Sequence, residues 1–315
     1  MTLQKRKNLK KEKGANKVNE IDEILGTTTK TNNYSTNRKY NNYPKKNDWK
    51  EKQAQDRQEI YDTMDRMALI VSNDSQKFKQ YLDVQSNFTK YSVGNCLVIL
   101  EKAPNSTQIK DEESWVEKGI KLIPNPKEIK ILEPSKSEKS NRIFYNPKKV
   151  YDISQTDAQK QDKTISYEVR DLLQAFIYNC NVPRKAVDKL SNDTVGSEYN
   201  KDENILYVCR RMDKELLFQT LSQELANIEM KDEENSNIKS FKSYCISYMI
   251  CKKYGIDVSN YNFDNLPEEI SSKKEPKEIR AEIDKIRVNF EKIDSRIADY
   301  FDMSSKEKKK TVPER

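Results

Sequence analysis

Histidine is absent from this chain of 315 residues, and glycine is scarce. Without an imidazole, neither Ser-His or Cys-His nucleophile pairs nor histidine acid–base catalysis can operate. No G-x-G-x-x-G or G-x-x-x-x-G-K sequence occurs, so dinucleotide-binding and P-loop sites lack their phosphate-binding loops. The six glycines lie at positions 14, 26, 94, 119, 196 and 255.

Closely spaced cysteine pairs and long apolar runs are missing as well. The five cysteines form no C-x-x-C pair, and an odd, scattered set predicts the reduced, buried thiols of a cytosolic protein. The longest clear aliphatic run, Leu97 to Leu100, is far too short to span a bilayer, and no apolar segment follows the basic N-terminus. We therefore expect a soluble, cytoplasmic protein with no membrane association.

Positive charge is concentrated at the start of the chain. Residues 1–50 contain 13 Lys and Arg against 5 Asp and Glu, a net of +8, whereas the whole chain has a net charge of +7. Residues 1–46 also lack apolar periodicity, which predicts a disordered basic arm. Its tyrosines at 34, 40 and 43 could stack on nucleic-acid bases while the cations neutralise phosphates, although a solvated tail has the same composition.

Hydrophobic periodicity in the rest of the chain predicts an α+β fold. Asp48 and Glu51 form a D-x-x-E capping box that predicts a helix start at Asp48. Gly119 and Gly255 are expected at C′ positions of helices. Further helices are predicted from about 78, and at 88–100, 112–119, 166–179, 213–230, 239–254 and 275–303. Strands are predicted at 129–132, 143–145, 150–153 and 204–211.

The segment Gln-Glu-Leu-Ala-Asn at residues 223–227 has the spacing of a zinc-peptidase helix motif in which both histidines are replaced. In H-E-x-x-H, two imidazoles on one helix face bind zinc and the glutamate activates a water. Gln223 and Asn227 stand at the imidazole positions, and Glu224 is kept. Neutral amides are poor zinc ligands, so we expect no metal and no cofactor. The alternative is the polar face of an ordinary amphipathic helix.

Two stretches of the chain resemble the ArdC-type antirestriction proteins and the related LtrC-like proteins of conjugative elements. Residues 78–157 are similar to the single-stranded-DNA-binding domain of that family. The marks of this resemblance, in chain order, are Phe88, Tyr91, Ser92, Asn95, Pro104, Trp115, Gly119, the 129–134 segment and the Tyr-Asp-Ile-Ser-Gln-Thr sequence at 151–156.

The second stretch, residues 197–267, is similar to the zincin-like domain of the same family. Its marks are the 223–227 motif, Tyr248, Cys251, the Tyr-Gly-Ile-Asp sequence at 254–257 and the Asn-Phe pair at 262–263. The family's third, acidic metal ligand corresponds to Tyr244. The resemblance thus implies a degenerate metallopeptidase domain with no catalytic residue.

The resemblance implies single-stranded DNA as the partner. Aromatic rings would stack on bases while lysines follow the backbone. Tyr91 and Trp115 also lie one helical turn from apolar neighbours, so both could be core residues instead. The candidate contacts are Lys90, Tyr91, Ser92, Asn95, Trp115, Lys118 and Lys121.

An apolar seam with alternating spacings of four and three runs through 275–303. It predicts either a helix packed on its own domain or a short coil for self-association or for a protein partner. The predicted organisation is a disordered arm at 1–46, a DNA-binding domain at 47–157, a zincin-like domain at 165–270, this amphipathic helix at 275–303 and a disordered tail at 304–315.

Three functions follow from these patterns. The first is non-specific binding of single-stranded DNA in the service of a mobile element, with an inactive peptidase-like domain. The second is a protein-interaction scaffold on a pseudo-zincin fold, to which DNA is irrelevant. The third is an active zinc peptidase. Its zinc would need other ligands, for which the candidates are Cys209, Cys245, Asp232, Glu233 and Glu234. The spacing of these residues does not support such a site.

Overall fold

The computed structural model describes residues 46–136, 142–158, 167–230 and 233–310. Nearly all of the predicted basic arm, residues 1–45, lies outside this description. Helices and two small sheets make up the described part, and the predicted α+β class is confirmed. None of the helices in the described ranges combines the length and apolarity needed to cross a bilayer.

Three helices open the described chain: α1 (Lys46–Asn73), α2 (Ser75–Asn87) and α3 (Val93–Lys102). The predicted start of α1 is wrong, because Asp48 already lies within the first helical turn and does not cap it. The predicted break after α1 is confirmed. There Asp74 accepts hydrogen bonds from the backbone N–H groups of the next helix and so caps α2.

The first sheet consists of β1 (Ile109–Lys110), β2 (Ile129–Lys136) and β3 (Ile143–Asp152) in the order β1-β3-β2, with both pairings antiparallel. The short helix α4 (Glu112–Val116) follows β1. Gly119, just beyond it, has a positive φ of 74°, as expected near a helix C-terminus.

The two strands predicted at 143–145 and 150–153 are one continuous strand, which includes Pro147. Proline has no N–H to donate, which normally interrupts a sheet. Here the residue opposite Pro147 is Leu132, whose backbone N–H and C=O both bond to the side chain of Asn95. The ladder therefore needs no donor from Pro147, and the strand continues through it.

The second sheet contains β4 (Arg184–Val187), β5 (Ser197–Asn200) and β6 (Ile205–Cys209) in the order β4-β6-β5, with β4 parallel and β5 antiparallel to β6. The helices of this half are α5 (Val169–Ile177), α6 (Lys214–Glu229), α7 (Ser236–Tyr254), α8 (Glu268–Ser271) and α9 (Pro276–Lys310). Gly255 follows α7 in the left-handed conformation, with a φ of 76°, as expected.

Helix α9 buries its apolar seam within its own chain. It packs against α1, α5 and α7, and six seam residues are almost completely buried: Ile279, Ile283, Ile286, Phe290, Ile293 and Ile297. Self-association through this seam, one of the two interpretations of the heptads, is therefore corrected to intramolecular packing. The helix also extends to Lys310, so the predicted tail at 304–315 is helical as far as that residue.

Segments from both predicted domains contribute to one hydrophobic core. The ring of Phe78 in α2 lies 5.7 Å from that of Phe241 in α7 and 6.3 Å from that of Phe263. The hydroxyl of Tyr248 in α7 donates to the carboxylate of Asp83 in α2 at 2.5 Å. The domain boundaries stay predictions. Whatever the boundaries, segments of the two predicted domains are in direct contact through α2 and α7.

Candidate nucleic-acid interface and pseudo-metal site

A groove of about 530 Å³ lies beside the first sheet. Ile109, Ile131 and Val150 contribute apolar surface to it. Its charged lining consists of four cations and two carboxylates, a formal net charge of +2, and these groups are Lys90, Lys110, Lys148, Arg287, Asp111 and Glu133. Four of the seven predicted DNA-binding residues line this one groove: Lys90, Tyr91, Ser92 and Asn95.

The loop between α2 and α3 presents Lys90 and Tyr91 to the groove. Lys90 is exposed and Tyr91 is partly exposed. The ring of Tyr91 stacks on that of Phe88 at 5.6 Å, and the amide of Gln85 donates to the carbonyls of both residues. Ser92 ends the loop by capping α3. These contacts hold the backbone of the loop in place, while the side chains of Lys90 and Tyr91 stay accessible to solvent.

Asn95 has a structural role in the groove wall. Its side chain is buried, and its amide makes two hydrogen bonds of 2.9 Å with the backbone of Leu132. This pair joins α3 to β2. The polar atoms of Asn95 are thereby engaged by the protein, and the residue shapes the groove.

Trp115 is a core residue, as the alternative interpretation of this aromatic expected. It is 1% exposed, and its indole N–H donates to the carbonyl of Tyr151 at 3.0 Å. A ring so covered has no face for a base, which corrects the prediction that Trp115 contacts DNA. Lys118 and Lys121 are exposed, but neither lines the groove.

Lys110 is a groove residue that the sequence did not reveal. Burial lowers the pKa of its ammonium, the nearby Lys118 ammonium lowers it further, and only Asp111 opposes them. Two lysines held close together in this way would each gain from a shared anion. No sequence motif marks Lys110, because its place depends on how β1 pairs with β3.

A lysine bridges the two carboxylates of the groove. The ammonium of Lys148 lies 2.8 Å from a carboxylate oxygen of Asp111 and 2.8 Å from one of Glu133. The hydrogen bond from Lys148 lowers the pKa of Asp111 to about 2, and the two carboxylates raise the pKa of Lys148. One ammonium offsets one of the two carboxylate charges, so the exposed Lys90 and the partly buried Lys110 meet a residual charge of −1 from this cluster.

Two large aromatic side chains on β3 were also missed as binding candidates. Phe144 is 50% exposed and Tyr145 is 49% exposed, and Tyr145 lines the groove. The three consecutive apolar residues Ile143, Phe144 and Tyr145 carry a usable signal. Because side chains alternate between the two faces of a strand, such a run in a half-buried strand must expose at least one of them.

The degenerate metal motif lies on α6. Gln223, Glu224 and Asn227 are all partly buried. The amide oxygen of Asn227 accepts a hydrogen bond of 3.0 Å from the hydroxyl of Ser243 on α7. Asn227 thus faces the neighbouring helix α7, whereas Glu224 meets the backbone of Tyr199 in β5.

Glu224 is the most perturbed acid of this site. Burial raises the pKa of its carboxyl to about 7, a backbone hydrogen bond from Tyr199 of β5 lowers it, and the charge of Glu198 raises it. Such a carboxyl is close to half-protonated at neutral pH. A bound cation would reverse this shift by favouring the charged form.

Tyr244 lies beside the motif but has another partner. Its hydroxyl accepts a hydrogen bond from the backbone N–H of Asn262 at 2.7 Å, and its ring lies 4.8 Å from that of Tyr261. Ser243, not Tyr244, is the α7 residue bonded to Asn227. The correspondence of Tyr244 to the third ligand of the family stays a prediction.

The residues present do not fit a divalent metal. Amide and hydroxyl groups replace imidazoles, and the one acid of the motif is largely removed from solvent. Across the described ranges, no cluster of three His, Cys, Asp or Glu could hold an ion. Among the conceivable substitutes, Cys245 is completely buried and Glu233 is paired with Lys242, while Asp232 lies outside the described residues.

Two crystal structures of the antirestriction protein ArdC from plasmid R388 are similar to this chain. The match to the Mn(II)-bound structure has 12% identity and a TM-score of 0.42, and it covers 70% of this chain and 97% of that one. The match to the metal-free structure has 12% identity and a TM-score of 0.37, and it covers 67% and 85%. No protein-family model and no curated protein sequence matches. With TM-scores below 0.5, this similarity establishes neither a metal site nor an activity for this chain.

Proposed function

We propose that this protein binds single-stranded DNA without sequence preference in the groove beside the first sheet. The observation that carries the proposal is that the partly exposed ring of Tyr91 lines the same groove as the exposed Lys90 and the partly buried Lys110. Stacking on an aromatic ring contributes about 1–3 kcal/mol per base and tolerates every sequence, while lysines neutralise phosphates.

The same features favour single strands over duplex. Base faces in a duplex are covered by their neighbours, so Tyr91 could stack on a base only where the strand is unpaired. Few groups in the groove lining could read base edges: Asn95 is bonded to Leu132, and Asp111 and Glu133 are bonded to Lys148. Backbone charge and stacking therefore dominate the expected affinity.

Removing the two lysines tests this proposal. The variant Lys90→Ala/Lys110→Ala is expected to bind a labelled 16-nucleotide oligothymidylate at least about 10-fold more weakly at low salt, by fluorescence anisotropy. The slope of log K against log salt should become shallower by about 0.7 for each phosphate that the variant no longer neutralises. Lys214→Ala, which removes another exposed lysine, is the matched control. Unchanged affinity and slope in the double variant would refute the groove as the binding site.

For the biological role, we propose that the protein shields single-stranded DNA of a mobile element from nucleases or restriction. The family resemblance supports this part of the proposal. The corresponding assay is digestion of a long single strand by a single-strand-specific nuclease. Saturating wild-type protein should slow the digestion, and the double lysine variant should protect much less at the same concentration.

We further propose that the α6–α7 site is catalytically inactive. The amide and hydroxyl side chains at its ligand positions support this, as does the engagement of Asn227 by Ser243. Protein dialysed after incubation with Zn²⁺ or Mn²⁺ should retain far less than one equivalent of metal and should leave casein intact. Stoichiometric retention together with chelator-sensitive cleavage would instead revive the peptidase.

The scaffold alternative has lost one of its two supports. It relied on the pseudo-zincin fold and on the heptad seam of α9 to recruit a partner, and that seam is buried in the described structure. A scaffold would have to use another surface. Capture of a partner that survives in high salt and does not respond to the lysine variants would favour it.

A further inference from the structure

The tip-proximal half of the β2–β3 hairpin carries an exposed aromatic ring that the groove does not explain. Phe144 is 50% exposed although it sits in an ordered strand pairing, directly opposite Ser135. The next residue on the same face of β3 is Asn146, which donates to Ser135 at 2.8 Å. Small and polar neighbours leave the ring uncovered.

Phe144 shares its face of β3 with two of the three β3 residues that line the groove, while the third, Tyr145, lies on the other face. Side chains alternate along a strand, so Phe144, Lys148 and Val150 project from one face of β3. Lys148 and Val150 both line the groove. The ring of Phe144 therefore continues the groove wall towards the hairpin tip, beyond the ion pairs that Lys148 makes with Asp111 and Glu133.

The hairpin is braced, so this ring is held in a defined position. Arg57 of α1 donates to the backbone carbonyl of Tyr145 at 3.0 Å and to the side chain of Asn146 at 3.3 Å. Further along β2, Lys130 pairs with Asp56 of α1 at 2.8 Å. A strand held by such contacts loses little additional freedom when a ligand stacks on the ring that it carries.

The charge around the ring favours a polyanion over an apolar protein segment. Lys136 and Arg142, at the described end of each strand, are both exposed. In the other direction, the groove lining has a net charge of +2. An aromatic ring between two groups of cations has the arrangement expected for a base-stacking position on a single strand.

We propose that Phe144 is a second stacking platform for single-stranded DNA, so that a strand runs from Tyr91 through the groove to the hairpin. This inference rests on the proposed function and extends the DNA-binding site from the groove to the exposed face of the β2–β3 hairpin. The bound strand stacks one base on Tyr91 and another on Phe144, while its backbone follows the cations of the groove and the hairpin.

Substitutions at Phe144 test this platform. Phe144→Ala and Phe144→Leu should weaken binding of labelled oligothymidylate about 5- to 100-fold, whereas Phe144→Tyr should bind like wild type. Ile143→Ala, on the opposite face of the same strand and 60% exposed, is the matched control and should change affinity little. Thermal unfolding of each variant should match wild type, because the ring is half-exposed.

A second readout separates stacking from charge. An oligomer with the same phosphates but without bases should bind wild type and Phe144→Ala equally well, and the salt slope on oligothymidylate should be the same for both. If wild type binds single strands and Phe144→Ala binds them equally well, the platform is refuted while the groove stands. If wild type does not bind single strands at all, the proposed function itself fails.

Discussion

At the scale of single residues, Asn227 of the degenerate motif and a glutamine one turn before that motif are both engaged by the protein itself. Gln219, one turn before Gln223, donates to the carbonyl of Asp257 at 2.7 Å and accepts from Asn260 at 2.9 Å. Asn227 accepts from Ser243. Glu224 differs, because burial opposes its charge and only a backbone N–H favours it. The titration of Glu224 therefore affects stability between mildly acidic and neutral pH.

Glu224→Gln is expected to stabilise the protein at neutral and alkaline pH. The pKa of Glu224 is about 7 in the folded chain against 4.5 in the unfolded chain. Between these values the folded state binds more protons, so wild-type stability falls as pH rises from about 4.5 to about 7. The neutral amide removes this fall and should leave the variant about 1–3 kcal/mol more stable at pH 8.

Urea unfolding of both proteins at pH 5 and pH 8 measures this difference. The gap between variant and wild type should widen from pH 5 to pH 8, because the wild-type carboxyl loses its proton over that interval. Glu215→Gln, on an exposed position of the same helix, is the control and should show no such widening. A gap that stays constant with pH would contradict the assignment.

Lys242 is a completely buried cation and a second residue on which stability depends. Its side chain is 0% exposed, and its ammonium lies 2.6 Å from Glu233 and 2.7 Å from Glu282. Lys242→Ala should destabilise the fold by about 3–5 kcal/mol, because it leaves two partly buried carboxylates with less compensation.

Lys285 provides the comparison for Lys242 in the same urea titrations. It approaches the same two carboxylates but is 51% exposed, so Lys285→Ala should cost at most about 1 kcal/mol. Equal losses for the two variants would mean that burial does not distinguish these lysines.

At the scale of elements, periodicity was a good guide to long amphipathic segments and a poor one to short strands. Helices α6, α7 and α9 were predicted because each has several turns of apolar spacing or a clear cap. Strands β4 and β5 were missed, since each has only four residues and is largely polar: Arg184–Val187 and Ser197–Asn200. Both become strands by pairing with β6, which no local pattern encodes.

For the candidate site, too, the sequence identified some residues and missed others. The motif resemblance brought out the loop residues Lys90 and Tyr91, which line the groove. It could not separate them from Trp115, because an aromatic ring in the core and one on a surface have the same local sequence. Lys110 was missed because only the pairing of β1 with β3 brings it into the same groove as that loop.

The intramolecular packing of α9 predicts a large stability effect at the centre of its seam. Phe290→Ala should cost about 3–5 kcal/mol in urea unfolding, since the ring is completely buried. Met303→Ala, on the same helix but 44% exposed, should cost under about 1 kcal/mol. A seam that served self-association would instead give a Phe290→Ala loss that depends on protein concentration.

At the scale of the whole molecule, the groove is bounded by elements from both halves of the chain. Arg287 of α9 lines it, and its guanidinium pairs with Asp284 at 2.6 Å and Glu291 at 2.7 Å. The loop that presents Tyr91 is tied to α7 and α9 through Thr89, which meets Lys253 at 3.0 Å, and Lys253 in turn pairs with Asp294 at 2.6 Å. The C-terminal half of the chain thus helps to hold the proposed DNA site in place.

The basic arm at 1–45 is the main competitor of the groove for DNA, because all the excess positive charge of the chain lies in its first 50 residues. An arm of this kind binds single strands and duplex through charge alone. A groove with an accessible ring discriminates between them. The two contributions can therefore be separated by the form of the DNA.

The most direct measurement is anisotropy of a labelled single-stranded oligonucleotide with unlabelled duplex as competitor, at two salt concentrations, for the full chain and for a chain lacking residues 1–45. Our account predicts that the shortened protein binds more weakly but still prefers single strands, and that Lys90→Ala/Lys110→Ala removes this remaining binding. Loss of all binding with the arm, or equal displacement by duplex and single strand, would contradict it.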